Sequence, residues 1–193
     1  MTVQRSQAYS RRGRHTREQL VRSFVELVLA KGYENLSASE VARHAGVGRS
    51  TLYSHFQSLN RMLEVSLENP CMVLAASVLP GTSPDRLIAL LGHFRSQVHL
   101  NAVFFREPIL TLWSQCLAHY IGEALRRHRI QLRFRSSVPS DLLPPVLAEL
   151  QLAIIRRWLQ GRSGTSVQAV AHALTASTQQ IVCGTDAARC ARL

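Results

Sequence analysis

Residues 37–56, SASEVARHAGVGRSTLYSHF, have the pattern of two short helices joined by a tight turn. Gly46 can take the backbone through a positive φ without steric cost, and Gly48 keeps the turn short. In the second helix, Leu52 and Phe56 lie four residues apart, so their side chains share one apolar face. Burial of that face would fix the orientation of the second helix. Residues 37–56 therefore predict two helices that pack at an angle to each other.

The other side of the second predicted helix carries hydrogen-bonding groups. They are Arg49, Ser50, Thr51, Tyr53, Ser54 and His55. An arginine fork matches the major-groove edge of guanine, and hydroxyl groups can donate to or accept from base edges. Tyrosine and histidine can hydrogen-bond phosphate oxygens, which positions a protein without reading sequence. The two helices therefore have the plan of a helix-turn-helix motif, with the second helix predicted to lie in the major groove.

Length and composition allow one domain of ordinary size, or a small domain joined to a larger one. The chain has 193 residues, and 46% of them are hydrophobic, which is ample for a core. The net charge of +11 favours an anionic partner, either nucleic acid or a membrane surface. However, residues 1–56 contain nine basic and four acidic side chains, and residues 57–193 contain fourteen basic and eight acidic ones. Charge alone therefore does not locate the binding face.

The polar, arginine-rich N-terminus predicts no secretory signal peptide, and no apolar run approaches membrane-spanning length. The four cysteines show no CxxC spacing. Cys71, Cys116, Cys183 and Cys190 are interpreted as buried or incidental thiols, with a redox-sensing pair of Cys183 and Cys190 as the alternative. These features predict a cytoplasmic protein.

Apolar residues recur at helical spacing along almost the whole chain, and the predicted fold class is all-α. Residues 1–14 hold four arginines and no acid, which predicts a flexible basic arm. Thr16 is the predicted N-cap of the first helix, and Gly32 ends it. Ser37 or Ser39 can cap the next helix.

Later helices have similar boundary signals. Ser58 is a predicted cap for a helix that stops before Asn69-Pro70, because proline disfavours the helical conformation of the preceding residue. Ser83-Pro84 begins another helix. Three further helices are predicted at 108–127, 144–160 and 166–183.

The order of these signals resembles the tetracycline-repressor (TetR) family of bacterial transcription regulators over about residues 14–63. The matching groups are Gly32-Tyr33, Val41-Ala42, Ala45-Gly46-Val47, Thr51-Leu52-Tyr53 and His55-Phe56. The resemblance implies a DNA-binding domain at 15–63, a helical effector-binding and dimerisation domain at 64–185, and a flexible tail at 186–193. It also implies a homodimer whose recognition helices, Arg49 to Phe56, enter successive major grooves of a palindromic operator. A small, largely apolar effector would release it.

One position departs from the family pattern. The family usually has a lysine where this chain has Leu59, and that lysine contacts phosphate. Arg61 or the N-terminal arm can compensate for its loss. The candidate arm contacts are Arg11, Arg12 and Arg14, and an unstructured tail is the alternative interpretation.

An effector pocket is predicted in the second domain, because this part of the chain combines aromatic side chains with polar side-chain groups, a mixture that suits a mostly apolar, drug-sized molecule. Its candidate residues are His93, Phe94, Trp113, Cys116, His119 and Tyr120. The alternative is that Phe94 and Trp113 only fill the core. His119 and Glu123 lie four residues apart, as two metal ligands on one helix could, but no third candidate ligand lies at a spacing typical of a metal site. The sequence therefore predicts an ordinary pair on the helix surface, with no metal and no cofactor.

In the family, the last two long helices commonly form the dimer interface, and apolar stripes on both helices supply the candidates. They are Leu147, Leu150, Ile154, Trp158, Val170, Leu174 and Ile181.

Three classes of function follow from these patterns. The favoured one is a ligand-responsive, homodimeric repressor that binds double-stranded DNA. The alternative is a constitutive DNA-binding protein, or an activator, whose second domain only dimerises. The third class, an enzyme, is not predicted, because the HExxH, GxxxxGK[ST] and GxSxG motifs are all missing from the sequence.

Overall fold

The computed structural model describes the backbone of residues 2–97, 103–128, 136–161 and 164–183, and the side chains from residue 13 onward within these ranges. Every regular element in the described ranges is helical, which confirms the predicted all-α class. The helices are α1 (Thr2–Lys31), α2 (Ala38–His44), α3 (Arg49–His55), α4 (Leu59–Ser77), α5 (Asp85–Ser96), α6 (Ile109–His128), α7 (Leu143–Gln160) and α8 (Val167–Cys183), with a single 3-10 turn at Tyr33–Asn35. The tail predicted at 186–193 and Cys190 lie outside the described residues.

The first helix begins earlier than the sequence predicts. α1 starts at Thr2, so Thr16 lies inside the helix and is not its N-cap. The stretch before Thr16 has no proline, and its one glycine, Gly13, costs an α-helix only about 1 kcal/mol. The helix therefore continues back through the residues that we predicted to form an arm. Its other end is as predicted, because Gly32 follows it with φ 81.

The predicted stop before Pro70 is also wrong, because α4 runs through this proline to Ser77. Proline within a helix costs about 3 kcal/mol, since it removes a hydrogen bond and crowds the preceding turn. Leu67, Cys71 and Leu74 lie at helical spacing on both sides of it, and all three are buried. Burial of side chains of this size, at about 1.5–3 kcal/mol each, outweighs the local cost.

The chain divides into two compact units, Met1–Ser66 and Leu67–Leu193, whereas the sequence places the division after residue 63. In the first unit, apolar side chains of α1 to α4 form one core. Its members include Leu20, Phe24, Val28, Val41, Ala42, Leu52, Phe56, Met62 and Leu63. α2 and α3 have seven residues each and are too short to be stable alone, so this shared core holds them in place.

The second unit is built around α6 and α7, with α5 and α8 packed beside them. Its core includes Leu87, Leu91, Trp113, Leu117, Ile121, Leu147, Ile155, Leu174 and Val182. Buried polar groups also join the helices: Gln151 Nε2 donates to Leu74 O and to Ser77 Oγ, each at 3.1 Å. In the described part of the chain, no helix is both long enough and apolar enough to cross a membrane.

Candidate nucleic-acid interface

Ser37 is the N-cap of α2, so of the two predicted serines the first is the one used. Its Oγ accepts a hydrogen bond from the backbone N–H of Glu40 at 3.3 Å, and Glu40 Oε2 accepts from the Ser37 N–H at 3.0 Å. This is a reciprocal capping box. Lys31 Nζ lies 2.9 Å from Glu40 Oε1, and the hydrogen bonds from Lys31 and Ser37 lower the pKa of Glu40 to about 2. The start of α2 is thereby tied to the end of α1.

The turn between α2 and α3 follows the predicted pattern. Gly46 has φ 66, a conformation that favours glycine. The backbone N–H of Val47 then bonds back to Ala42 O at 2.9 Å. Gly48 precedes α3 in an extended conformation, with φ −70 and ψ 153. The turn is short because the chain reverses within these residues.

α3 has a buried back and an exposed front. Leu52 and Phe56 are each 1% exposed, which confirms the predicted apolar face. On the opposite side, Tyr53 is 49% exposed. The other predicted DNA-binding side chains divide into exposed ones, Arg49, Ser50 and Ser54, and half-buried ones, Thr51 and His55. Ser54 Oγ donates to Thr51 O at 2.8 Å, so its hydroxyl still has accepting capacity.

Two side chains of α1 that were not among the predicted site residues hold the ends of α2 and α3. Arg17 Nη1 donates to His55 O at 3.4 Å, and its guanidinium carbon lies 4.6 Å from the Phe56 ring centroid. Gln19 Nε2 donates to Ala45 O at 2.9 Å. The one available signal for this role is that Arg17 lies three residues before buried Leu20, on the same helical face.

Near the start of α4, Ser58 is the predicted cap, and its Oγ accepts from the backbone N–H of Arg61 at 3.1 Å. Leu59, at the position of the family's usual lysine, is half-buried. The Arg61 guanidinium lies 2.6 Å from the Glu64 carboxylate, so any phosphate contact by Arg61 competes with this ion pair. Tyr33 donates a hydrogen bond to Asn60 Oδ1, which fastens the same region to the 3-10 turn.

Of the predicted arm contacts, Arg14 is exposed on α1. The side chains of Arg11 and Arg12 lie outside the described residues, although their backbone belongs to α1.

The predicted effector-pocket residues separate into two groups. Phe94 and Trp113 are buried with edge-to-face rings 5.7 Å apart, and half-buried Cys116 shares a hydrogen bond with Cys71. His93 and His119 are exposed, and half-buried Tyr120 lies 5.7 Å from the His119 ring. The structure thus brings together the apolar members and leaves both histidines at the surface.

Among the described residues, no three candidate metal ligands lie together. The Glu123 carboxylate is hydrogen-bonded to Arg126 and lies 3.4 Å from Arg127. The bond to Arg126 lowers the pKa of Glu123.

An open groove of about 250 Å³ lies between α6 and α7. Its lining combines carboxylates, hydroxyls, an arginine and a few apolar side chains: Glu107, Leu110, Thr111, Ser114, Glu149, Leu152, Ala153 and Arg156.

The predicted dimer-interface residues differ in their burial within one subunit. Leu147, Trp158, Val170 and Leu174 are buried in the core of the second unit itself, with exposed fractions of 0%, 8%, 5% and 0%. Side chains placed in this way pack within one subunit. The remaining three, Leu150, Ile154 and Ile181, are half-buried. The apolar stripes of α7 and α8 therefore face mainly inward.

Comparison with known proteins agrees with this geometry. Residues 24–64 match the family model of bacterial regulatory proteins, tetR family. The HTH-type transcriptional regulator TcmR of Streptomyces glaucescens is 35% identical over 89 residues, which cover 45% of this chain. The match spans only 38% of the length of TcmR.

Solved structures share the fold along most of the chain. A TetR-family transcriptional regulator of Syntrophomonas wolfei gives a TM-score of 0.59 at 16% identity, covering 89% of this chain and 97% of that one. A TetR transcriptional regulator of Streptococcus agalactiae gives a TM-score of 0.53 at 22% identity, covering 90% of this chain and 98% of that one. Residues 24–64 therefore form a helix-turn-helix domain of the tetR family of bacterial regulatory proteins, and most of the chain shares its fold with solved TetR regulators.

Proposed function

We propose that this protein binds a palindromic operator as a homodimer and represses transcription until a small, largely apolar molecule releases it. The main support for the proposal is that one side of α3 is buried and the other side is exposed. Buried Leu52 and Phe56 fix the helix in the first unit, while Arg49, Ser50 and Tyr53 are exposed on its other side.

The dimensions of α3 suit this role. Its seven residues make a helix about 10 Å long, and the major groove of B-DNA is about 12 Å wide. Arg49, Ser50 and Tyr53 are assigned to bases or nearby backbone. Thr51 and His55, which are only half exposed, are assigned to phosphates.

A homodimer needs a surface on the second unit, and the burial pattern suggests which one. On α7, Val146 is 42% exposed and Leu150 and Ile154 are half-buried. On α8, Ala169, Ala173 and Ala176 are exposed at helical spacing and would permit close approach of another helix. We assign the contact between copies to these two exposed faces, in place of the inward-facing stripes.

The direct test of DNA binding is selection of bound sequences from a random DNA pool, followed by titration of the selected site. Arg49→Ala should weaken binding to that site, while Arg86→Ala, an exposed arginine of α5, serves as the matched control. If no sequence is enriched, or if both variants bind equally well, operator recognition by α3 is wrong. An enriched operator that small molecules never release would instead favour the constitutive DNA-binding protein.

A further inference from the structure

Two cysteine side chains of the second unit lie against each other, although they are far apart in the chain. The thiol of Cys71, on α4, shares a hydrogen bond with the thiol of Cys116, on α6. Neither residue belongs to a disulfide, and both are free thiols. No local spacing in the sequence links the two residues. Their contact makes them a candidate pair for thiol chemistry.

A second contact holds α4 and α6 together beside this pair. One turn before Cys71, the Glu68 carboxylate accepts a hydrogen bond from Tyr120, which lies one turn after Cys116. The two contacts are one turn apart on each helix, so α4 and α6 run antiparallel and side by side here. A disulfide needs Cβ atoms about 3.5–4.5 Å apart. Thiols that already share a hydrogen bond, on helices fastened in this way, need only a small movement to form one.

The two thiols differ in their access to solvent. Cys71 is 0% exposed, whereas Cys116 is half-buried. The neighbouring side chains Tyr120 and Glu68 are half-buried and exposed, so this side of the pair is open to solvent. A small oxidant therefore reaches the sulfur of Cys116 before that of Cys71.

The hydrogen bonds also give the two thiols different chemical roles. The bond to Cys116, together with burial, raises the pKa of the Cys71 thiol, so Cys71 stays protonated at physiological pH and is the donor. The Cys71 sulfur itself accepts a weak hydrogen bond from the indole N–H of Trp113. A donated hydrogen bond stabilises negative charge on the Cys116 sulfur, and the thiolate is the form of cysteine that reacts with oxidants.

We propose that Cys71 and Cys116 form a redox-sensitive dithiol, which an oxidant of the peroxide class converts into a disulfide between α4 and α6. The Cys116 sulfur attacks one oxygen of hydrogen peroxide, the O–O bond breaks, and a sulfenic acid and one water molecule are formed. The Cys71 sulfur then attacks the Cys116 sulfur, so that the S–S bond forms and the S–O bond breaks. The hydroxyl group leaves as water with the proton of Cys71. In total, two thiols lose two electrons and two protons, and one peroxide is reduced to two water molecules.

The disulfide would cross-link α4, the helix that runs from the first unit into the second, to α6. It would restrict the unfolded chain by closing the loop between the two cysteines, which stabilises the folded state. This modification goes beyond the proposed function, because it changes the covalent state of the protein and needs neither DNA nor an effector.

The test uses the reduced full-length protein, without DNA, treated with hydrogen peroxide. Remaining thiols are blocked with N-ethylmaleimide in urea, and the protein is digested without reductant for mass spectrometry. The peptide that contains Cys71 should be joined to the peptide that contains Cys116, and dithiothreitol should separate them. The oxidised protein should also unfold at a temperature several degrees higher than the reduced protein.

Three variants separate the roles of the cysteines. Cys116→Ser should give neither the joined peptide nor the increase in unfolding temperature. Cys71→Ala should keep the sulfenic acid on Cys116, where dimedone traps it, because the resolving thiol is gone. Cys190→Ser is the matched control and should still form the joined peptide, since it removes only a pairing of Cys183 with Cys190.

Three results in the wild-type protein would overturn the proposal. They are N-ethylmaleimide on both Cys71 and Cys116 after peroxide treatment, a disulfide that joins Cys183 to Cys190 alone, and a dimedone adduct on Cys116 without any joined peptide. All readouts are taken on the free protein, so their failure leaves the operator proposal intact. Failure of operator binding likewise leaves the dithiol intact.

Discussion

Arg17 of α1 lies over Phe56 at the end of α3, with its guanidinium carbon 4.6 Å from the ring centroid. The same guanidinium donates to the last carbonyl of α3, His55 O, at 3.4 Å. Phe56 is itself part of the core of the first unit. One side chain therefore holds both the terminal backbone and the anchoring ring of the proposed recognition helix.

Replacement of Arg17 by methionine should weaken DNA binding without removing a base contact. Methionine keeps much of the apolar contact but loses the cation–π interaction and the hydrogen bond, which together are worth about 1–2 kcal/mol. We expect a loss of stability of this size in urea unfolding and a several-fold loss of operator affinity that is similar for all operator variants. Arg22→Met, at an exposed position of the same helix, is the control. Equal effects of the two variants would show that Arg17 acts only through its charge.

Arg49→Ala should behave differently, because Arg49 is exposed at the start of α3 and is assigned to a base. Loss of a bidentate arginine–guanine contact costs about 1–3 kcal/mol and relaxes preference at one base pair. Titration of the variant against operators substituted at each position measures both effects. A loss that is identical for every operator would assign Arg49 to the phosphate backbone instead.

The helix-turn-helix was predictable because its determinants are local. The positive φ of Gly46, the cap at Ser37 and the shared face of Leu52 and Phe56 each depend on residues within one turn of helix. The contact of Arg17 with His55 joins residues 38 apart, and no local pattern specifies such a pair. The same holds for α4, where burial on both sides of Pro70 overrides the local preference to end the helix.

The apolar stripes of α7 and α8 are ambiguous for a different reason. Apolar spacing on α7 and α8 correctly identified buried faces, since Leu147 and Leu174 are both 0% exposed. Periodicity shows that a face is buried, but it does not show whether the covering surface belongs to the same chain or to a second copy. The buried hydrogen bonds of Gln151 could not be predicted either, because a polar residue within an apolar stripe gives no indication of its role until its partners, Leu74 and Ser77, are known.

The Lys31–Glu40 pair predicts a pH dependence of the first unit. The pKa of Glu40 is lowered to about 2 in the folded protein, below the ordinary value of 4.5. A lowered folded-state pKa contributes stability that is fully present above pH 4.5 and is lost as the pH falls towards 2. Wild-type protein should therefore exceed Glu40→Gln in urea midpoint at pH 6, and the difference should shrink between pH 4.5 and pH 2.

Glu34→Gln, at a nearby exposed glutamate, is the control for general effects of charge in this measurement. A difference between wild type and Glu40→Gln that stays constant over the whole range would show that the Glu40 carboxylate contributes nothing through its charge.

The proposed interface predicts opposite outcomes for two adjacent residues of α8. Ala173 is exposed, whereas Leu174 is fully buried in the same subunit. Ala173→Arg should keep the thermal stability of the subunit but place a charge in the proposed contact between copies, giving monomers in sedimentation velocity and weak operator binding. Leu174→Ala should lower the free energy of unfolding by about 2–5 kcal/mol through loss of core packing, while the folded fraction still dimerises. Gln168→Arg, exposed on a different face of α8, should change neither property. If Ala173→Arg sediments as a dimer, the exposed alanine face of α8 is not the interface.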